Sequence, residues 1–244
     1  MSPALNIRTR VDSALARATA IPEEKIRAHV NAVRAKNPHA SPDEIITILS
    51  KQFTAFLQST GGAVGATAAF PGIGTTTALV LSAADLAVFL SAASIYSLAV
   101  AEVHEVRSDD PERRKALVLS SVLGESGAQS LTGVTAKPVT QWGTTIMTSL
   151  PKSTIKQVNS VLSSRFAKRY FVKHAGATVG RMIPFGIGAV VGIAGGRALA
   201  HTVVHQTTKA FGPAPIEFAT PVFAITKNGE EDAASFDHLI ESAH

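Results

Sequence analysis

The sequence predicts an all-α protein, a multi-helix bundle with two apolar helical hairpins that are each broken by glycine and proline. Two observations support this fold class. The 41 residues from Gly61 to Ala101 contain a single charged residue, Asp85, and the residues from Met182 to Gly196 contain none. Apolar residues also recur at helical spacing in the segments around these two stretches, as expected for helices packed in a bundle.

The bulk composition narrows the class of protein. Charged residues make up 17% of the 244 residues, against about 25% in ordinary soluble domains, which indicates extensive burial or contact with lipid. The absence of cysteine excludes a disulfide framework and thiolate chemistry. The first eight residues lack the apolar core of a secretory signal, so we do not expect export by that route.

The N-terminal elements are ordinary amphipathic helices. Residues 4–36 predict two short helices, the second opened at Pro22. Ser41 to Glu44 match a capping box, in which the serine caps a helix and the glutamate three residues later completes the motif. We expect this helix to be closed or loosened at the glycine pair that begins with Gly61.

The helices that follow are longer. No helix breaker occurs from Thr75 to about Arg107, which predicts a helix of roughly 50 Å. Asp110 is placed to cap a further helix over 112–131. Residues 132–150 are polar and rich in glycine and threonine, which predicts a connection with one short helical turn near its middle.

A basic amphipathic helix is predicted over 151–173, followed by a last helix that ends near Phe211. The prolines that come next end the regular structure, and we expect the acidic tail to be mobile or loosely docked. The chain therefore divides into N-terminal amphipathic helices (1–40), a helical domain (41–212) and a Pro-rich acidic tail (213–244).

Both apolar stretches carry a similar interruption. Residues 70–74 are FPGIG and residues 183–188 are IPFGIG. Duplication of a helix–break–helix unit explains this similarity, and so does chance likeness between glycine-rich segments. In the second stretch glycines recur every fourth residue, a ridge that lets another backbone approach closely. The predicted helix-break and packing residues are Gly61, Gly65, Pro71, Gly72, Gly74, Pro184, Gly186, Gly188, Gly192 and Gly196.

Asp85 is the one charge inside the first apolar stretch. An ionised carboxylate in apolar surroundings is strongly destabilising unless it is paired or protonated. Arg181 and Arg197 flank the second stretch, so we expect one of them to pair with Asp85 and to set the register of the two segments. The functional alternative is a carboxylate that handles protons within a membrane.

Charge is distributed unevenly along the chain. Residues 126–216 contain no Asp or Glu and ten Lys or Arg, whereas the remainder carries a net charge of −5. Such a block beside apolar sequence is typical of a protein that binds an anionic partner. The alternative is a basic face that interacts with the acidic remainder of the same fold. The residues predicted to contact anionic lipid lie on the basic helix and are Lys152, Lys156, Arg165, Lys168, Arg169 and Lys173.

No motif predicts catalysis, a cofactor or a metal. The Gly-Ile-Gly segments at 72–74 and 186–188 lack the preceding strand and the third glycine of a dinucleotide site. Ser126 misses the geometry of a nucleophile elbow by one position, so we interpret it as a helix-terminal serine. His201 and His205 share a helix face without an accompanying carboxylate, which favours a polar pair near a helix end over a metal site.

Three segments have a recognisable order and spacing. They are Gly61-Gly62-Ala63-Val64-Gly65 running into Phe70-Pro71-Gly72, then Ala84-Asp85-Leu86, then Gly180-Arg181-Met182-Ile183-Pro184 running into Gly188 to Gly196. Through these segments the chain resembles the EcsC family over about residues 41–212. The resemblance implies a mainly helical, bacterial, membrane-associated protein from a family without an agreed reaction or catalytic motif. The chain departs from the pattern at 107–109, where an aromatic-glycine pair is expected, and in its tail.

These observations together predict a non-catalytic protein that contacts anionic membrane lipid, peripheral or partly inserted, on the cytoplasmic side. The apolar pieces are shorter than the roughly 20 residues of a simple span, which favours interfacial or re-entrant hairpins. Two alternatives stay open: a soluble cytoplasmic bundle that holds an apolar ligand, and a lipid hydrolase. Nucleic-acid binding is not expected, because no recognised nucleic-acid-binding motif accompanies the basic residues. The sequence leaves protein partners unknown and a homo-oligomer open.

Overall fold

The computed structural model describes residues 12–68, 75–135, 141–176, 187–219 and 240, with side chains for the same residues except 61–68, 75–85, 134–135, 169–176 and 187–194. These ranges contain nine helices and no strand, which confirms the predicted all-α bundle. The helices are α1 (residues 12–19), α2 (Glu23–Lys36), α3 (Pro42–Ala68), α4 (Thr75–Val103), α5 (Pro111–Leu123), α6 (Glu125–Thr135), α7 (Trp142–Thr148), α8 (Lys152–Gly176) and α9 (Ile187–Phe211).

Helices α3 and α4 form the first part of the bundle centre. They are joined by residues 69–74 and contact each other where Phe53 stacks on Tyr96, with ring centroids 4.9 Å apart, so they run antiparallel. The Tyr96 hydroxyl lies 2.9 Å from the Ser50 hydroxyl, and burial raises the pKa of Tyr96 to about 12. The phenol is therefore neutral at physiological pH and acts as a hydrogen-bonding group within the core.

Helix α9 completes the centre of the bundle. Its contact with α3 is the most extensive between any two helices of the described residues, and its backbone at Gly196 lies against the carbonyl of Leu57. Nearer the C-terminal end of α9, the Thr207 hydroxyl lies 3.3 Å from the Ser97 hydroxyl of α4. These two contacts make α9 antiparallel to α3 and parallel to α4.

The remaining helices pack around this centre. Helix α7 lies at the C-terminal end of α9, where Gly143 contacts Ala210 and Phe211. Helix α5 starts beside α7, because the Arg113 guanidinium donates to the carbonyl of Ile146. Helix α5 also contacts α4, α8 and α9, so it links the outer layer to the centre of the bundle.

A glycine divides what the sequence predicted as one helix over 112–131. Gly124 has φ +68°, a left-handed conformation that glycine adopts without steric cost, and it separates α5 from α6. Helix α6 then folds back on α5, where Gly127 lies against the backbone of Ser120. The prediction of a continuous helix is wrong because apolar spacing across Gly124 does not reveal a change of direction. The short helix expected within 132–150 is present as α7.

The predicted helix starts are confirmed. The Glu44 N–H donates to Ser41 Oγ at 3.3 Å, and the Ser41 N–H donates back to the Glu44 carboxylate at 2.8 Å, which completes the capping box. The Ser41 N–H and the Ser41 hydroxyl, at 2.8 and 3.1 Å, both donate to the Glu44 carboxylate and lower the pKa of Glu44. At the start of α5, the Asp110 carboxylate accepts from the N–H of Glu112 at 2.9 Å, with Pro111 at the first helical position.

Two predicted helix ends differ from the structure. Helix α3 continues through Gly61 to Ala68, so of the two expected effects of the glycine pair, closing or loosening the helix, closing is wrong. Glycine inside a helix costs roughly 0.5–1 kcal/mol relative to alanine, and the packing of α3 along α9 outweighs this cost. Helix α4 ends at Val103, short of the expected Arg107, in a turn where Glu105 takes φ +58°.

One continuous hydrophobic core holds the described residues together. It includes Leu15 of α1, Ile26 of α2 and, beyond the last helix, Ile240. The N-terminal helices and part of the tail therefore share a core with the central helices. The predicted division at residue 40 marks no boundary in the packing.

Candidate functional site

The direction of α8 decides which helix termini lie together. The Asn159 amide donates to the Glu112 carbonyl at 2.8 Å, near the start of α5, and the Arg165 guanidinium donates to the Ser126 carbonyl at 3.2 Å, just past the end of α5. Since α5 starts at the end of the bundle where α9 finishes, α8 runs away from that end. It therefore points in the same sense as α3 and opposite to α4 and α9.

Four helix termini consequently lie at one end of the bundle: Ala68, Thr75, Gly176 and Ile187. We define the apolar end as the helix segments next to these termini, residues 61–68, 75–85, 169–176 and 187–194. Within these segments the charged residues are Asp85, Arg169 and Lys173. The two apolar stretches predicted from the sequence thus approach each other at the same end of the fold.

The rest of α4 belongs to the protein core. Within the described side chains, the stretch Leu86–Val103 is the one segment long and apolar enough to cross a membrane, and 89% of it is buried by other helices. The large apolar side chains exposed on the described surface are Leu199 and Ile216. The body of the bundle therefore has an ordinary polar exterior, and the expectation of lipid contact is confined to the apolar end.

Of the three residues in the predicted Asp85 pairing, the side chain of Arg197 alone is described. The Asp85 side chain and the whole of Arg181 lie outside the described residues. Arg197 is exposed on α9, and it takes part in none of the ion pairs between described side chains. Ser97 and Thr207 are in contact, so the backbone of Asp85 comes to a level close to that of Arg197. The pairing stays a prediction.

The predicted helix-break and packing residues occupy different positions in the structure. Gly196 is buried, and a Cβ placed there would overlap the carbonyl of Leu57, which is the close backbone approach expected of a packing glycine. Gly61 and Gly65 lie inside α3 rather than at a break. Gly188 and Gly192 lie within α9. The residues outside the described ranges are Pro71, Gly72, Gly74, Pro184 and Gly186.

The basic helix α8 keeps its charges in solvent and its apolar stripe in the core. The buried stripe packs against the rest of the bundle and consists of Ile155, Val158, Leu162 and Phe166. The exposed basic residues are Lys152, Lys156, Arg165 and Lys168, whereas the side chains of Arg169 and Lys173 lie outside the description. Since the stripe is covered by protein, the described part of α8 has no apolar face to lay on a membrane.

Of the motifs considered for catalysis and metal binding, Ser126 and the pair His201 and His205 lie among the described side chains. The Ser126 hydroxyl donates to the Leu123 carbonyl at 2.9 Å in the first turn of α6, which fits the helix-terminal interpretation. The exposed rings of His201 and His205 stack at 6.2 Å. No group of three or more His, Asp or Glu that could hold a metal occurs among the described residues.

Sequence reasoning missed a polar cleft at the other end of the bundle. A cavity of about 90 Å³ lies between the end of α2, the end of α4 and the start of the tail. The Arg107 guanidinium donates to both carboxylate oxygens of Glu102 at 2.8 Å, and this hydrogen bonding raises the pKa of Arg107. Beside it, the guanidinium of buried Arg34 stacks 3.7 Å above the ring of Phe218.

The tail is tied to this cleft by a second contact. The Ala219 N–H donates to the Glu105 carboxylate at 3.1 Å. Glu105 has the left-handed backbone conformation after α4 that glycine commonly adopts. Its side chain is therefore present at a position where the backbone conformation favours glycine. Residues 213–219 are therefore docked on the fold. No local pattern reveals these contacts, because Arg34 and Phe218 are far apart in the sequence.

We expect His104, at the junction of α4 and α9, to make stability depend on pH. Its ring stacks on Phe211 with centroids 5.2 Å apart, and burial lowers the pKa of His104 below its ordinary value. A lowered histidine pKa means that the unfolded chain binds the proton more readily than the folded chain. We expect the free energy of unfolding to be highest above about pH 6.5 and to fall as the pH drops through this value.

The measurement is the melting temperature at pH 7.5 and at pH 5.0, compared with the His104→Phe variant. Phenylalanine keeps a ring on Phe211 but does not titrate, so the loss of stability between the two pH values should be smaller in the variant. The other histidines are common to both proteins, and the difference isolates His104. An equal loss in both proteins would show that His104 does not contribute.

Comparisons with known proteins add no further assignment. No family model, curated protein or solved structure matches this chain. The resemblance to the EcsC family therefore stays a prediction. The function has to be inferred from the residues that form the apolar end and the basic helix.

Proposed function

We propose that this is a non-catalytic, membrane-associated helical protein of the EcsC type that contacts anionic lipid with the apolar end of its bundle. The observation that carries the proposal is the convergence of both apolar stretches on that end, next to a body whose exterior is polar. Transfer of apolar segments out of water is favourable, by about 25 cal/mol per Å² of buried apolar surface. The hydrophobic effect therefore supplies the main attraction.

The charges near the apolar end support an anionic partner. Arg169 and Lys173 belong to the helix segment of α8 at this end, and Arg165 and Lys168 precede them on the same helix. Basic residues near an anionic surface contribute about 1 kcal/mol each to binding. Lys152 and Lys156 lie at the start of α8, toward the opposite end of the bundle, and are proposed to act through the long-range field only.

The cytoplasmic leaflet is the proposed target, because it carries the anionic lipids that attract basic segments. A second candidate function follows from the burial of the stretch Leu86–Val103 inside the bundle. That burial favours a water-soluble bundle, for which we propose the binding of an apolar ligand as the alternative function. The vesicle flotation described next separates the two candidate functions.

The test is flotation with vesicles of phosphatidylcholine alone and with phosphatidylglycerol added. We expect the protein to float with both, more strongly with the anionic vesicles. The added part should be lost in 1 M salt, where the Debye length is about 3 Å. A protein that stays at the bottom of the gradient with both vesicles would contradict membrane association and favour the soluble bundle.

A matched pair of variants assigns the contact to the apolar end. Val80→Asp and Val190→Asp place a carboxylate in the two apolar stretches, whereas Ser153→Asp adds the same charge at an exposed position near the start of α8. We expect the first two to lower vesicle binding at least tenfold and the third to lower it less than twofold. Circular dichroism melting confirms that each variant is folded.

A further inference from the structure

We infer that the polar cleft beside Arg34 binds a small organic anion that carries a single carboxylate. The cleft lies between the end of α2, the end of α4 and the start of the tail, and no residue of the apolar end lines it. Binding there is independent of the proposed contact with lipid. Three properties of the cleft support such a ligand: its charge, its unused hydrogen-bond donors and its size.

The side chains that line the cleft carry one more positive charge than negative charges. The positive charges belong to Arg27, Arg34 and Arg107, and the negative charges belong to Glu102 and Glu105. The Arg107 guanidinium binds both carboxylate oxygens of Glu102, so this pair is neutral by itself. Charges that are shielded from water are stable when they are paired. A ligand with one negative charge would therefore balance the cleft.

The cleft has hydrogen-bond donors that the described residues leave unused. Arg27 and Asn31 lie four residues apart on one face of α2, and neither side chain makes a hydrogen bond or an ion pair to another described residue. Arg107 donates to Glu102 through Nε and Nη2, whereas its Nη1 donates to no described residue. The Arg107 side chain is 46% exposed. Guanidinium donors of this kind form their strongest hydrogen bonds with carboxylate and phosphate.

The acceptors of the cleft are already engaged. The Glu102 carboxylate takes two hydrogen bonds from Arg107, and its side chain is only 8% exposed. The Glu105 carboxylate accepts from the Ala219 N–H of the tail at 3.1 Å. A cationic ligand would have to compete with Arg107 and with the tail for these oxygens. The cleft is therefore better suited to an anion than to a cation.

The size and the apolar residues of the cleft narrow the class of anion. Its volume of about 90 Å³ has room for about six to nine water-sized groups. Val30 and Phe218 add apolar surface to the wall, and the Arg34 guanidinium lies 3.7 Å above the Phe218 ring, so this wall exists before a ligand binds. A carboxylic acid with a short hydrocarbon chain satisfies the donors and covers the apolar surface.

The test is a titration of the full-length, ¹⁵N-labelled protein with butyrate, followed by NMR spectroscopy of the backbone and side-chain N–H groups. Butyramide has a similar size and shape but no charge, and inorganic phosphate has charge but no hydrocarbon chain. We expect butyrate to shift the side-chain signals of Arg27, Asn31 and Arg107. It should bind about tenfold more tightly than either control compound, because only butyrate offers both a carboxylate and an apolar chain.

Three variants assign the binding to the cleft. Arg27→Gln removes the excess positive charge and keeps an amide donor, so butyrate should bind about tenfold more weakly. Asn31→Asp replaces a donor by a second carboxylate of similar shape and should abolish binding. Arg17→Gln makes the arginine change at an exposed position of α1 outside the cleft, and it should bind butyrate like the wild type. Melting curves confirm that each variant is folded.

Equal binding by the wild type and Arg27→Gln would overturn this inference, as would equal binding of butyrate and butyramide. Butyrate shifts confined to the exposed lysines of α8 would show association with the basic surface and would overturn it too. Tighter binding of phosphate than of butyrate would contradict the monocarboxylate and assign the cleft to phosphate groups. None of these results bears on vesicle flotation, which tests the proposed function separately.

Discussion

Gly196→Ala is expected to lower the free energy of unfolding by about 3 kcal/mol, at the upper end of the usual cost of overpacking a core. The added Cβ would overlap the carbonyl of Leu57. A backbone carbonyl within a helix has no alternative rotamer, so α3 and α9 must move apart along their shared length. For a chain of this size the melting temperature should fall by about 6–12 °C.

The neighbouring residue provides the control. Gly195 is exposed, and a Cβ placed there meets nothing within 4 Å. Gly195→Ala should therefore stabilise the protein by roughly 0.5–1 kcal/mol through the better helix propensity of alanine. Chemical denaturation of both variants measures the difference. Equal stability of the two variants would show that the close approach of α3 and α9 at Gly196 does not limit the packing.

Arg114→Ala is expected to have an effect of similar size, about 3 kcal/mol, because it removes hydrogen bonds from a charged donor within the fold. The buried Arg114 guanidinium donates to the Ser108 carbonyl at 2.7 Å and to the Ile21 carbonyl at 2.6 Å. These bonds join the start of α5 to the connection between α1 and α2. Without them two carbonyl groups lose their partner, and the N-terminal helices lose an anchor.

Arg114→Lys separates charge from geometry. A lysine keeps the charge but lacks the planar fork that reaches both carbonyls at once, so we expect about half the loss of the alanine variant. Arg17→Ala is the matched control, since Arg17 is exposed on α1 and its loss should change stability by less than about 0.5 kcal/mol. The assay is urea denaturation followed by circular dichroism. A lysine variant as stable as the wild type would contradict the role given to the fork.

The parts of the fold that depend on local rules were predictable from the sequence. The capping box at Ser41, the cap at Asp110 and the apolar stripe of α8 all involve residues within a few positions of each other. Their interactions form within one or two helical turns. The existence and the starts of the corresponding helices were therefore predicted correctly.

The errors arise where contacts between distant segments decide the outcome. Helix α3 continues past Gly61 because α9 packs along it, and α5 ends at Gly124 because α6 turns back on it. The cleft around Arg34 depends on Phe218, which only the folded chain brings near. The sequence predicted two apolar stretches and a basic block, whereas the helix directions that bring the two stretches to one end follow from contacts between distant segments.

The shared core of Leu15 and Ile240 has a consequence for biosynthesis. The chain through Ile240 must leave the ribosome before the core can close around that residue. The segment 61–85, by contrast, emerges early and stays without its later neighbours for most of translation. Until that point the apolar residues of this segment lack the neighbours that the later part of the chain supplies.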